Sequence, residues 1–338
     1  MIAALTRIRP RRPRPGDWFA GVFFVWGASV VLAAQSGSSW WAPGSGEVLP
    51  ASASYSNPAG QIGILNTGGP VTTKGHPFFE PIGTNGRACI TCHQPHNGMS
   101  LSAAAARERW TATGGTDPLF AAIDGSNCPS LPQQLEQSHS LLINRGLIRV
   151  ALPWPPVDSH GARITPEFSI EVVRDPTTCN TDPTYGLQSA TPTVSVFRRP
   201  RVAANLKYVA TFSGPFNIKT GALMDVDPES GTPVGMNIMA DAREPTLSTQ
   251  ARNAARDHLQ ARTPLSYEQV QQIVGFEEQV YSAQRVSTAA GSLVEPGGPN
   301  GLGPEVMARA ERGLGDNIHT PVFGFFDMWK PTGAAALD

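Results

Sequence analysis

Apolar residues recur at helical spacing through much of the chain and alternate only in short patches. Leu247, Ala251, Ala254 and His258 share one face of a helix predicted from Leu247 to about Arg262, with Thr246 placed to cap it and Thr263-Pro264 to end it. Ser266 opens a second helix, with Gln269 three residues on as a capping box. Val270, Ile273, Val274 and Val280 form its buried stripe, and Tyr281 sits at its edge. A third helix runs from Leu131 to Arg145 and stops at Gly146. Leu131, Leu135, His139, Leu142 and Ile143 line one side of it, so His139 lies on an apolar stripe. Leu101 to Thr111, entered from Ser100 or Ser102, is the fourth, and a short helix follows from Pro304 to Arg312. Strand patterning is brief: Leu147 to Leu152, the alternation Phe168, Ile170, Val172 as its partner, then Thr193 to Phe197 and Tyr208 to Phe212. The pattern predicts a mainly α protein with long loops and a small β insertion.

Outside these elements the chain changes character. Arg7, Arg9, Arg11, Arg12 and Arg14 precede an apolar run from Trp18 to Ala34, with small residues at its end. This reads as an export signal over residues 1–34. As a helix the run rises about 26 Å, slightly short for a bilayer core, so a retained N-terminal anchor is the second reading. Either way the downstream chain is expected outside the cytoplasm, in a bacterial periplasm. Residues 35–75 are rich in Gly, Ser and Pro and show no period, which predicts a linker or an extended wrap. The periodic segments occupy residues 76–285, and residues 286–338 form a loop-rich end with an aromatic group at Phe323, Phe325, Phe326 and Trp329.

The formal net charge of −1 gives no basic field for nucleic acid. The four cysteines divide into two pairs. Cys89, Ile90, Thr91, Cys92 and His93 read Cys-x-x-Cys-His, which in an exported protein is the attachment site of a c-type haem. Two thiols at this spacing add to the two vinyl groups of one porphyrin, and the adjacent His ligates the iron. Random placement of these residue types yields the spelling about one time in a thousand for this composition. A thioredoxin-like motif would follow a strand in a parallel α/β pattern, and none is seen. A zinc site would need a second ligand pair at short spacing, and none follows. Cys128 and Cys179 remain, and an oxidising compartment favours a disulfide between them over two buried thiols.

With one covalent haem c and its iron, His93 is the proximal ligand and function turns on the other axial position. His258 and His139, both on apolar helix faces, are candidate sixth ligands, though the plainer reading of each taken singly is a hydrogen-bonded core histidine. Met224, Met236 and Met239 lie in a loop region able to deliver a thioether.

Several ordered segments carry a resemblance. Gly86-Arg87-Ala88 before Cys89, Asn144 to Arg149, Phe197-Arg198-Arg199-Pro200, Leu247-x-x-Gln250-Ala251 and Ile273-Val274-x-Phe276-Glu277 resemble the diheme bacterial cytochrome c peroxidases. The resemblance implies a class-I-like cytochrome c domain and, for Gln250, a place over a peroxide-binding face. It covers only the N-terminal haem domain and connecting segments, because no second Cys-x-x-Cys-His occurs. Where that family carries an acid that assists O–O cleavage, this chain has Gln260; His258, on the same helix face as Ala254, is the candidate to replace it as acid/base. The family's Trp-Asp-Gly-Arg segment is replaced by Thr211 to Gly214. The first expectation is therefore a periplasmic electron-transfer cytochrome that meets a redox partner protein. The second is a hydrogen-peroxide-reducing subunit supplied with electrons by a separate haem protein. The third is a non-catalytic haem sensor or redox-complex subunit.

Overall fold

The computed structural model describes residues 40–157, 162–210, 229, 238–294 and 302–309. The N-terminal segment 1–34, Met224, Met236, Thr211 to Gly214 and the aromatic group after Phe323 lie outside the described residues. In chain order the elements are β1 (Val48–Leu49), β2 (Ser52–Asn57), β3 (Gly60–Asn66), β4 (Val71–Thr72), α1 (Ala103–Thr113), a single turn α2 (Ala122–Gly125) and α3 (Ser140–Arg145). They continue with β5 (Ile148–Pro153), β6 (Thr193–Arg198), α4 (Leu206–Ala210), α5 (Leu247–Asp257), α6 (Tyr267–Gln279), β7 (Val280–Ser287), β8 (Gly291–Ser292) and α7 (Pro304–Met307).

The expected mainly α, class-I-like cytochrome c architecture is not what forms. Helix accounts for only 30% and strand for 19%, in three sheets and seven helices among the described residues. The largest sheet is antiparallel, in the order β2-β3-β7-β8. It pairs the stretch expected to be a linker with the end of what was expected to be a helix. Ser52↔Leu65 through Asn57↔Gly60 register the hairpin, and Ile64↔Ser282 registers β3 on β7. Gly60 makes the tight approach to β7: its φ is +130°, and a Cβ there would meet the Val286 carbonyl at 2.1 Å. Arg285 crosses the sheet to the Ala53 carbonyl and to the hydroxyls of Ser52 and Ser54. The strands were hidden because β2 alternates half-buried with exposed small polar residues, and because Val280 and Tyr281 continue the apolar stripe of α6.

The helix expected over Leu131 to Arg145 is shorter. Glu136–His139 is a 3₁₀ turn that runs into α3, and Gly146 ends α3 with φ 64°. Strand β5 pairs with β6, Ile148↔Arg198, and not with the Phe168 to Val172 stretch. Phe168 is instead 66% exposed. The expected strand at Tyr208 begins as helix α4. The caps follow the sequence closely: Ser102, Thr246 and Ser266 each accept a hydrogen bond from a backbone N–H in the first turn.

Two apolar clusters form the interior. The larger joins Leu49, Ile64 and Phe78 to Ile90, Leu247, Ile273 and Val280; the smaller joins Leu101 and Ala106 to Phe120, Leu142 and Ile143. Cys89 packs on the first and Cys92 on the second. The haem motif therefore sits where the clusters meet.

Cys128 and Cys179 form a disulfide with their Cα atoms 5.2 Å apart, closing a loop of 51 residues. Both are fully buried. By loop-closure entropy this bridge contributes about 4 kcal/mol. Cys128→Ser with Cys179→Ser should lower the unfolding free energy by about 2–5 kcal/mol in urea titrations. An unchanged midpoint would mean that the bridge does not constrain the unfolded chain.

Candidate haem site

The Cys-x-x-Cys-His segment is built as a tight turn. Cys89–Thr91 is one 3₁₀ turn, and the N–H groups of Cys92 and His93 both donate to the Cys89 carbonyl, at 3.2 and 3.1 Å. The Ala88 N–H donates to Thr91 Oγ1 at 3.1 Å, and the Ile90 N–H to the Phe78 carbonyl. Gln94, fully buried, holds the far end by donating Nε2 to the carbonyls of Trp41 and Ile90. These bonds tie the turn to its neighbours and leave one side open to a cavity. On that side Cys89, Cys92 and His93 all line a cavity of about 550 Å³, within the range of cofactor sites.

The other walls are mainly small and apolar: Ala203 and Ala204 after β6, Ala251 and Ala254 on α5, and Ile273 on α6. His93 Nδ1 lies 3.2 Å from the Met99 carbonyl, and the Arg201 backbone also hydrogen-bonds the ring. Burial, the largest cause, pushes its pKa down to about 4, so the ring is neutral and free to ligate.

The two thiols are poorly ionised. Burial pushes Cys92 up to about 11 and Cys89 higher still. A reactive Cys-x-x-Cys pair has a lowered thiol pKa, so the thioredoxin-like reading loses its chemistry here. Among the described residues no group of three or more His, Cys, Asp or Glu side chains is arranged to hold a bare metal ion. A haem iron asks for only two protein donors.

His258 is the second histidine at the cavity. It forms the C-cap of α5 and lines the cavity. Its Nδ1 lies 2.7 Å from Asp124 Oδ2, an orientation that leaves Nε2 available, in the manner of carboxylate–histidine–metal triads. A charge on His258 disfavours protonation of His93. Asp124 was not foreseen from the sequence. It sits at φ 63°, in the left-handed region, in a turn clamped by Arg87. The buried Arg87 guanidinium donates to the carbonyls of Pro118, Leu119, Ala121, Ile123 and His258.

The other sequence candidates separate cleanly. His139 is fully buried outside the cavity lining. Its two ring nitrogens lie 2.7 Å from the Gly125 carbonyl and 2.9 Å from that of Gln133, between the rings of Trp110 and Phe120. It is a core histidine. Met239 lines the cavity wall. Gln250 lines the cavity, and its Oε1 is buried without a hydrogen-bond partner. Gln260 does not line it.

Glu277 is the residue that sequence reasoning passed over. It is 4% exposed, lines the cavity, and its Oε2 has no partner. Burial, followed by the charge of Glu278, raises its pKa from 4.5 to about 8. The signal was available: Glu277 stands seven residues after Val270 and four after Ile273, on the apolar stripe of α6.

No protein-family model, curated protein or solved structure matches this chain.

The neutral Glu277 has a stability consequence. Its unfolded carboxyl ionises near 4.5 while the folded one holds its proton to about 8. Folding is thus progressively disfavoured as pH rises from about 4.5, and the cost is complete above about 8, at no more than about 5 kcal/mol. Glu277→Gln should remove this slope, so the variant gains on the parent in melting temperature between pH 5 and pH 8. Parallel melting curves for the two proteins across that interval would refute it.

Proposed function

We propose that this chain is an exported c-type cytochrome that carries one covalent haem between His93 and His258 and passes single electrons to and from a partner protein. One observation carries the reading: Cys89, Cys92, His93 and the Asp124-held His258 all face the same apolar cavity. When bound, the haem supplies reversible one-electron chemistry. Cys89 and Cys92 would hold the porphyrin through thioethers, and His93 and the His258 ring, oriented by Asp124, would offer nitrogen ligands to its iron. Ligation by two histidines favours a lower potential than a His/Met pair. The arginine-led N-terminal run and the Cys128–Cys179 bridge support export to an oxidising compartment such as the periplasm. No helix among the described residues is long and apolar enough to cross a membrane.

One observation favours a second reading, a peroxide-reducing subunit that draws electrons from a separate haem protein. The unpartnered Gln250 Oε1 and the protonated Glu277 face the cavity, and polar groups of this kind serve small oxygen ligands. Such a role requires His258 to leave the iron, against its bond to Asp124.

Absorption spectroscopy separates the two. A six-coordinate, low-spin spectrum indifferent to hydrogen peroxide is expected; a five-coordinate spectrum with peroxide turnover by reduced cytochrome c would overturn the electron-carrier reading. Cys92→Ser should abolish two-point attachment, read as haem lost from the denatured polypeptide after acid-acetone extraction or as a residual vinyl band shift. Unchanged thioether spectra would sink the assignment of Cys92 as an attachment point. His258→Ala should open the sixth position and convert the spectrum to high spin, whereas an unaltered spectrum would return His258 to a structural role.

A further inference from the structure

A c-type haem has two edges of opposite chemistry. The vinyl edge meets the two thiols, and the other edge ends in two carboxylates that need cationic partners if they are to be covered. The cavity wall formed by the end of β6 and by the Ile238↔Glu244 bridge is cationic. Arg198, Arg199, Arg201 and Arg243 all line it. Arg198 and Arg243 are tied together through one carboxylate: Arg198 Nη2 lies 3.5 Å and Arg243 Nη1 3.0 Å from Asp241 Oδ2. Arg201 donates to the Met239 carbonyl at 2.9 Å, and Arg199 to the Arg145 carbonyl at 3.2 Å.

Two features show that this wall is built to receive an anion rather than being already satisfied. The first is charge. Among the described residues, the acids that reach these four guanidiniums are Asp241 and Glu244, the latter 3.9 Å from Arg243 Nε and also holding Asn253. Four positive groups against two negative ones leave two charges over, the number one porphyrin's carboxylates would neutralise. The second is an orphaned donor. Arg198 Nε is buried and has no hydrogen-bond partner, although the side chain as a whole is only 27% exposed. A buried N–H normally finds an acceptor, and a guanidinium fork matches a carboxylate in both geometry and charge.

We propose that Arg198 and Arg243, flanked by Arg199 and Arg201 at the mouth, form the receptor for the two propionate carboxylates and so set the haem's orientation and raise its potential. The assignment rests on the haem reading given above. Its physical consequence is electrostatic. Propionates destabilise the ferrous form, which carries one negative charge more than the ferric, and paired guanidiniums offset this. Asp241 works against the arginines from the opposite side.

The test uses the full chain expressed with haem attachment, and mass spectrometry of each variant first establishes that one haem is covalently bound. Arg198→Gln with Arg243→Gln should lower the midpoint potential, shifting the ferric–ferrous equilibrium at least tenfold toward ferric, or about 59 mV for a one-electron couple. Arg198→Lys with Arg243→Lys keeps the charges and should restore most of the difference, which a merely structural role would not. Asp241→Asn, at a largely surface position, should move the potential upward and remains informative if the double glutamine variant does not fold. The assignment is overturned if haem is attached and the potential stays at the parent value in Asp241→Asn and in the arginine variants that fold. It is equally overturned if only the rate of reduction by an acidic partner protein changes, which would make the arginines a docking surface. A parent protein that binds no haem would instead defeat the underlying reading.

Discussion

The buried guanidinium of Arg87 is the interaction on which the site depends. It stands two residues before Cys89, and its donors reach four carbonyls of the 118–123 turn and the carbonyl of His258 at the end of α5. Three stretches far apart in sequence are thereby held on one planar group. Burying that charge is costly unless every donor is met, and here every nitrogen donates. Its 3.7 Å approach to Asp124 completes the balance. Because the same clamp holds the turn that carries Asp124 and the residue that carries the second imidazole, the Asp124–His258 pair is positioned by the motif's own neighbour. The two axial candidates are not independent features of the chain.

Charge inside the cavity follows a simple division. The apolar interior tolerates Glu277 only by leaving it protonated, and His93 only by leaving it neutral. Fixed charge is kept to the Arg87–Asp124 pair at one side and the arginine rim at the other. A porphyrin that is apolar over most of its area and anionic along one edge matches this distribution, and the Ala-rich walls supply the flat contact. The sheet contributes indirectly: β7 grows out of α6 without a loop, so the position of Glu277 is fixed by the hydrogen-bonded register of Val280 and Tyr281 on β3.

What could be read from the sequence was what a local rule governs. The caps at Ser102, Thr246 and Ser266, the stop at Gly146, and strands β5 and β6 each follow from a few adjacent residues. The hairpin of β2 and β3 was missed because Ser52–Asn57 buries little and takes its stability from pairing across the chain. His139 and His258 looked alike on their helix faces, since periodicity says that a ring is inward and nothing about which partners wait there. Carbonyls wait for one and a carboxylate beside a cavity for the other. Asp124 lay beyond reach because its role depends on a left-handed turn that only the Arg87 clamp explains.

The resemblance to diheme peroxidases also reads differently at residue level. The position where that pattern places its acid falls here on Gln260, whose φ is 56° and whose carbonyl accepts from the N–H and hydroxyl of Thr84. Its work is to anchor a turn, and its side chain is not part of the cavity lining. The carboxyl that does face the cavity comes from another element, α6, and a proton donor there approaches from a different wall. A peroxidase that lost one acid and kept its geometry would present a gap at the turn after α5. This chain has instead filled that region with His258 and a carboxylate partner. On the reading proposed above, a second imidazole at the iron would exclude small ligands and favour electron exchange over their chemistry.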